Sequence, residues 1–179
     1  MKKILPILIV LALLCSVTAA TAEELEIQQG EDLFSIGVTL PEGAHVENFT
    51  SDDQFSMLEI GFDTEGRPSI VITVAADELY IGQSLSDLTQ DEKNLIISEI
   101  TVEMVSPQVE IRTSQAGYEY IVANETTEAN DTSDTMMLLD GYFVMVHVYN
   151  EDYSELNPED AEIGPSIVET LHYLDGGNS

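Results

Sequence analysis

The sequence predicts an α/β protein of the α+β type, in which an antiparallel β-sheet is sandwiched by helices. Two apolar runs, residues 136–139 and 142–149, flank Asp140-Gly141, and this pair accepts the positive φ angles of a type I′ hairpin turn. The second run is apolar at odd and even positions alike, as is typical of a strand covered on both faces. Amphipathic segments that begin near Thr89 and Asn157 are the predicted helical layers.

Residues 1–22 have the features of a secretory signal peptide. Lys2 and Lys3 precede the apolar run Ile4–Val17, and Ala20-Thr21-Ala22 supplies a small-residue cleavage site. We therefore predict a secreted or extracytoplasmic protein associated with the cell surface. The alternative is an uncleaved leader that stays in the membrane as an anchor.

The chain after the leader is predicted to form one domain. Residues 23–32 are polar and acidic and are predicted to be a flexible lead-in, residues 33–175 form the domain, and residues 176–179 are a tail. Cys15, the only cysteine, lies in the leader. The mature chain is therefore expected to have neither a disulfide nor a thiolate metal site.

The first half of the domain is predicted to consist of β-strands. Phe34–Leu40 alternates between apolar and small or polar residues, which predicts a half-buried strand with Ala44–Thr50 as its short partner. Phe55–Phe62 and Ser69–Ala75 flank a turn that contains Gly and Pro, so they predict a second hairpin. Ile70–Val74 is apolar on both faces and is expected near the centre of the sheet.

A capping box predicts the first helix. The hydroxyl of Thr89 accepts a free backbone N–H while Glu92 reaches back to the cap. Apolar residues follow at intervals of four up to Met104, so the helix is predicted to end before Pro107.

The second half returns to strands and closes with a helix. Val109–Thr113 and Tyr118–Ala123 predict another strand pair, and the polar stretch 124–134 is expected to project into solvent. After the central hairpin, Asn157-Pro158 starts the last helix, in which Pro165 predicts either a kink or a later start.

This order of elements resembles the PsbP/Mog1 family, which groups the oxygen-evolving-complex protein PsbP with the Ran-binding protein Mog1. The resemblance rests on Ile36–Pro41, Gly117–Tyr120, Asp140–Val146 and Ser166-Ile167. It implies a non-catalytic α/β/α sandwich used as an accessory or binding module. No metal or partner site of the family matches this sequence residue by residue, so only the fold is carried over.

The chain is extremely acidic. It has 34 Asp and Glu against 5 Lys and Arg, a net charge of −29, and only Arg67, Lys93 and Arg112 are basic beyond the leader. Because 44% of the residues are hydrophobic, these acids are expected to coat a folded body. Because salt screens the repulsion among these acids, we predict a halophilic adaptation, either to a saline medium or to a cation-rich surface layer. Phosphates would be repelled, so neither nucleic acid nor an anionic membrane surface is a predicted partner.

Two acidic clusters are candidate calcium sites, because Ca²⁺ prefers several converging carboxylate or carbonyl oxygens. They are Glu125–Asp134, and Glu151-Asp152 with Glu155, Glu159 and Asp160. The alternative is a solvated loop with diffuse counterions. No other cofactor is predicted. The candidate ligands are Glu128, Asp131, Asp134, Asp152 and Glu155.

Three Asn-x-Thr sequons predict a glycoprotein if the host modifies exported proteins. They begin at Asn48, Asn124 and Asn130. Asn124 and Asn130 are the preferred acceptors, because both lie in the stretch expected to project into solvent.

No catalytic motif is present in the sequence. His45, His147 and His172 fall in different predicted elements without His-Glu-x-x-His spacing, and Ser166 lacks the Gly-x-Ser-x-Gly context. We expect His147, on the central strand, to be a hydrogen-bonded core or near-core residue and not a ligand. The predicted function is a non-catalytic binding or accessory module whose partner is an unknown protein or envelope component. The alternatives are a carboxylate-based extracellular hydrolase and a structural component of the cell envelope.

Overall fold

The computed structural model describes residues 24–29, 34–52, 55–125, 131–152 and 154–173, so the predicted signal peptide and C-terminal tail lie outside it. The helices are α1 (Gln90–Ile100), α2 (Pro158–Ala161) and α3 (Ile163–Glu169), and 3-10 turns span Glu78–Tyr80 and Leu85–Asp87. Within the described ranges, no helix is long and apolar enough to cross a membrane. The strands are β1 (Glu24–Gln29), β2 (Phe34–Thr39), β3 (Ala44–Ser51), β4 (Phe55–Phe62), β5 (Ser69–Ala76), β6 (Gln108–Thr113), β7 (Glu119–Glu125), β8 (Thr132–Leu139), β9 (Tyr142–Tyr149) and β10 (His172–Tyr173).

Seven antiparallel strands form the main sheet, in the order β3-β4-β5-β9-β8-β7-β6. The predicted antiparallel α+β class is confirmed, and so is the central position of β9, with β5 beside it. Asp140 and Gly141, between β8 and β9, have φ angles of 51° and 85°. Positive values at both central positions are those of a type I′ turn, so the Asp-Gly pair does form the predicted hairpin.

One face of the main sheet is covered by a small sheet and by α3. Val144, Val146 and Val148 of β9 point into this core and are fully buried. The small sheet has the order β1-β2-β10, and Ile36 of β2 packs into the same core. From α3, Ile167 adds a buried side chain.

The opposite face is covered only in part. Helix α1 begins with the predicted capping box between Thr89 and Glu92. It buries Ile96 in a second core, against which Phe143 and Met145 of β9 pack while remaining partly exposed. This second core lies over β7, β8 and β9 and does not extend past the last turn of α1. A cleft is therefore open at that end of the helix.

The flexible lead-in predicted for residues 23–32 is wrong over Glu24–Gln29, which form strand β1. The sequence Glu-Leu-Glu-Ile alternates, so Leu25 and Ile27 point toward the first core while the glutamates point away. Main-chain pairing with β2 and burial of Ile27 hold this segment in place despite its charge.

The predicted pairing of Phe34–Leu40 with Ala44–Thr50 is also wrong. Strand β2 has β1 on one edge and β10 on the other, so neither edge remains for β3. The turn at residues 41–43 instead carries the chain from the small sheet into the main sheet, where β3 pairs with β4. The predicted β4–β5 and β6–β7 pairs are confirmed.

Residues 124–134 do not project into solvent as a whole. Strand β7 runs through Glu125 and β8 begins at Thr132, and both flanks of the gap are buried. Some of the polar side chains there are hydrogen-bonded inside the protein, as when the Ser133 hydroxyl donates to the carbonyl of Ala161 at 2.9 Å. Asn124 Oδ1 and Asp131 Oδ1 are buried without a hydrogen-bond partner among the described residues. Residues 126–130 lie outside the described ranges.

Both helices are shorter than the sequence predicted. Helix α1 ends at Ile100 instead of near Pro107. The N–H of Val102 bonds to the carbonyl of Glu99, three residues back, and the N–H groups of Val105 and Ser106 bond to Glu125 on β7. The last helix begins at Pro158 as predicted but breaks at Glu162 into α2 and α3. Pro165 sits in the first turn of α3, where a missing N–H costs little.

Tyr120 of β7 connects the main sheet to α3. Its buried hydroxyl donates to Glu169 at 2.9 Å, and burial together with this hydrogen bond raises the pKa of Tyr120 to about 12. The native state therefore favours the neutral phenol. This stabilisation is complete below the ordinary tyrosine pKa near 10 and is lost as pH rises through about 12.

We expect an alkaline absorbance titration to show two tyrosines, Tyr120 and Tyr173, that ionise near pH 12, and the amplitude of this component to fall by half in Tyr120→Phe. The same substitution should lower the free energy of unfolding at pH 7 by about 1–2 kcal/mol, since Glu169 loses a buried donor. An unchanged titration curve in the variant would contradict the assignment.

Candidate functional site

A cleft of about 450 Å³ opens between the end of α1 and the neighbouring face of β7, β8 and β9. This volume lies within the range of small-ligand pockets. One wall comes from α1 and the turn after it, and the other from three adjacent strands. The lining residues are Glu99, Ile100, Val102, Glu103, Met104, Glu125, Thr132, Asp134, Met145 and His147.

Glu125 fixes the α1 wall to the sheet. Its Oε1 accepts hydrogen bonds from the backbone N–H groups of Val105, at 2.7 Å, and Ser106, at 3.2 Å. The residue is only 2% exposed. Two donors on one oxygen satisfy a buried carboxylate and hold the turn after α1 in position.

Asp134 and His147 form a pair across β8 and β9. They are directly opposite each other in the strand register, and Asp134 Oδ1 lies 2.5 Å from His147 Nδ1. The contact fixes the orientation of the imidazole ring and assigns Nδ1 to the carboxylate. The ring of Tyr149, at a centroid distance of 5.0 Å, packs beside it. The expectation that His147 is hydrogen-bonded is confirmed.

The charged side chains that line the cleft are predominantly acidic. Glu99, Glu103, Glu125 and Asp134 line it, and none of the described lining residues is Lys or Arg. The three Lys and Arg residues within the described ranges are engaged in ion pairs elsewhere: Arg67 with Asp160, Lys93 with Glu119, and Arg112 with Glu110 and Glu162. The last turn of α1, which carries no basic residue, adds the negative end of its dipole. The cleft is therefore suited to a positive charge.

Apolar side chains complete the site. Ile100, Met104 and Met145 contribute to the walls, and Val102 at the rim is 77% exposed. Methionine adapts its shape to irregular apolar groups. The cleft thus combines a negative field with an adaptable apolar surface.

Of the five predicted calcium ligands, the four that the structure describes do not come together. Asp134 is in the cleft, Asp131 is buried just before β8, and Asp152 and Glu155 are exposed after β9. Hydrogen bonds from the hydroxyl and N–H of Ser154 lower the pKa of Asp152. Glu128 lies outside the described ranges. Among the residues that the structure places, no three His, Cys, Asp or Glu form a group that could hold a metal ion.

The structure changes the order of the glycosylation candidates. Asn124 is half-buried within the sheet, opposite Gln108 and Ser133, so its placement in an exposed loop was wrong. Asn48 lies exposed on the edge strand β3. Asn130 falls outside the described residues. Asn48 is now the preferred acceptor, and its modification stays a prediction.

No protein-family model matches the sequence, and no curated protein matches it. The geometry of the cleft therefore carries the functional inference.

Sequence reasoning missed the cleft, although it singled out three of the lining residues. Glu125 and Asp134 appeared only in a candidate calcium cluster and His147 only as a core or near-core residue, while Glu99 and Glu103 were not distinguished from the acidic coat. A usable signal was present on β8: Asp134 shares the strand parity of the buried Met136 and Leu138, which marks it as inward-facing.

Proposed function

We propose that this protein is an exported, non-catalytic accessory module whose cleft binds a cationic group with an apolar body, presented by a protein or envelope component. The observation that carries the proposal is the lining of the cleft by four carboxylates without Lys or Arg. A buried ammonium or guanidinium group requires such partners, because an unpaired charge is costly away from water.

The proposed architecture is a PsbP/Mog1-like α/β/α sandwich. Two hydrophobic cores on opposite faces of the main sheet support it. The small β1-β2-β10 sheet, which shares the first face with α3, is a local feature of this chain within that plan. The leader over residues 1–22 is the proposed export signal.

The same charge argues against most hydrolytic chemistry. Acyl and phosphoryl transfer build negative charge in the transition state, which positive groups or N–H donors must stabilise. Four carboxylates around the cleft would raise the energy of that state. The Asp134–His147 pair is therefore better suited to orienting a bound cation than to activating a nucleophile, because nucleophilic attack would create an oxyanion next to these carboxylates.

Binding is tested with two matched probes, N-acetyl-lysine methylamide and its uncharged analogue N-acetyl-norleucine methylamide, by calorimetric titration. We expect the lysine compound to bind about tenfold more tightly, equal to about 1.4 kcal/mol. Glu103→Gln combined with Asp134→Asn should remove this preference. The control is Asp152→Asn combined with Glu155→Gln, which removes the same two charges at exposed sites outside the cleft and should leave affinity unchanged. Equal affinity for the two probes in the native protein would refute the proposal.

A carboxylate-based hydrolase is the second candidate, and the acidic cleft is the observation that favours it. Glycoside hydrolysis passes through a cation-like transition state and uses paired carboxylates. We expect no turnover of nitrophenyl glycosides if the protein is a binding module. Turnover that is lost in Glu103→Gln and kept in Glu155→Gln would favour the enzyme.

A further inference from the structure

Two large aliphatic side chains are exposed to solvent on one short segment between β5 and α1. In the Leu79 loop, defined as residues 77–83, Leu79 is 82% exposed and Ile81 is 71% exposed. Loop tips in soluble proteins are usually polar, and neighbouring exposed aliphatics commonly mark an interaction site.

The Leu79 loop is anchored to the β8–β9 turn at both ends. The N–H of Asp77 donates to the carbonyl of Gly141 at 2.9 Å, and the N–H of Gly141 donates to the carbonyl of Gln83 at 3.2 Å. Within the loop, the N–H of Leu79 donates to the Asp77 carboxylate at 2.9 Å. These bonds fix the backbone on either side of the exposed pair.

Tyr80, between the two aliphatics, points the other way. Its ring meets that of Phe143 edge to face, with centroids 5.5 Å apart and an interplanar angle of 81°. With the central residue packed on the second core, its neighbours Leu79 and Ile81 must face outward. A loop ordered in this way loses little conformational entropy when it binds, which favours tight association.

The surroundings of the loop are negative. Asp77 and Glu78 belong to it, and Asp140 of the turn lies next to Gly82. Burial and the charges of Asp77, Glu99 and Glu92 raise the pKa of Tyr80, consistent with a negative local field. A second copy of the chain, with a net charge of −29, or an anionic lipid surface would be repelled here.

We propose that the Leu79 loop docks into an apolar socket bordered by Lys and Arg on a protein partner, with Leu79 and Ile81 as the anchors and the flanking acids facing the basic border. Charge complementarity determines which partner binds and in which orientation, while the side chains of Leu79 and Ile81 provide the apolar surface that is buried on binding. Docking at the loop does not require an occupant in the cleft, so loop variants and cleft variants test separate proposals.

The test places the photo-crosslinking residue p-benzoylphenylalanine at position 79 of the full chain, in cells that make the protein. The control places it at Phe49, which is also exposed but lies on the edge strand β3. We expect an adduct from position 79 only, on an apolar protein segment flanked by Lys or Arg. Its yield should fall about tenfold with Ile81→Ser, as for an interface anchor, and should fall in 1 M NaCl.

Folding of the variants is checked independently. Ile81→Ser changes an exposed side chain, so its Tm should match that of the native protein within about 2 °C. An adduct with a second copy of the chain or with lipid, the same adduct from Phe49, no adduct at all, or a yield insensitive to Ile81→Ser would each overturn the proposal.

Discussion

Gly141→Ala is expected to lower the free energy of unfolding by about 2–5 kcal/mol. Gly141 has a φ of 85°, which an L side chain adopts only with strain. A Cβ there would also lie 2.8 Å from Ile81 Cα and 3.0 Å from Ile81 N. These are backbone atoms, so the contact cannot be relieved by a side-chain rotation. Urea denaturation monitored by circular dichroism measures the loss.

Gly117→Ala is the matched control for this prediction. Gly117 has a φ of 91°, but a Cβ there would meet nothing within 4 Å. The substitution therefore carries only the backbone penalty, about 1–2 kcal/mol. The difference between the two variants isolates the packing of the Leu79 loop on the β8–β9 turn. Equal losses would contradict that packing.

The second large effect concerns salt. We expect Tm to rise by more than about 5 °C between 10 mM and 1 M NaCl, which corresponds to roughly 1–3 kcal/mol for a chain of this size. The net charge of −29 opposes compaction at low ionic strength. Screening shortens the range of that repulsion from about 30 Å at 0.01 M to about 3 Å at 1 M. Differential scanning calorimetry across the series gives the curve.

Calcium is the control that separates screening from specific binding. Calcium chloride and sodium chloride compared at equal ionic strength should give similar curves if screening dominates. A Tm that is independent of NaCl would contradict salt adaptation. A saturable rise at millimolar CaCl₂ without a matching response to ionic strength would instead favour a calcium site.

Several elements were predictable because their signals are local. Asp140-Gly141 specifies its turn through the backbone angles that these two residues tolerate. The Thr89 capping box marks the start of α1 through bonds that span three residues. The central strand β9 was recognisable because residues at odd and even positions are both apolar. Its face with Phe143 and Met145 is nevertheless only partly buried.

The candidate site was much harder to predict. Glu125, Asp134 and His147 come from three strands, and Glu99 and Glu103 come from the end of α1 and the turn after it. Among 34 acidic residues, nothing in the spacing of these four carboxylates distinguishes them from the solvated ones. Only strand pairing brings Asp134 opposite His147. The turn after α1 is held to the sheet by Glu125, which lies 25 residues beyond the end of the helix.

By itself, the sequence determined the antiparallel α+β class, the turn at Asp140-Gly141, the centre of the sheet and the sign of the surface charge. Each follows from residues close together in the chain or from composition. The tertiary structure decided that β2 pairs with β1 and β10, that polar residues on both sides of the 126–130 gap are buried, and that a carboxylate cleft forms beside α1. In those cases, segments that are distant in sequence compete for the same strand edges and hydrogen-bond partners. Local residue preferences do not determine which of the segments forms the pairing.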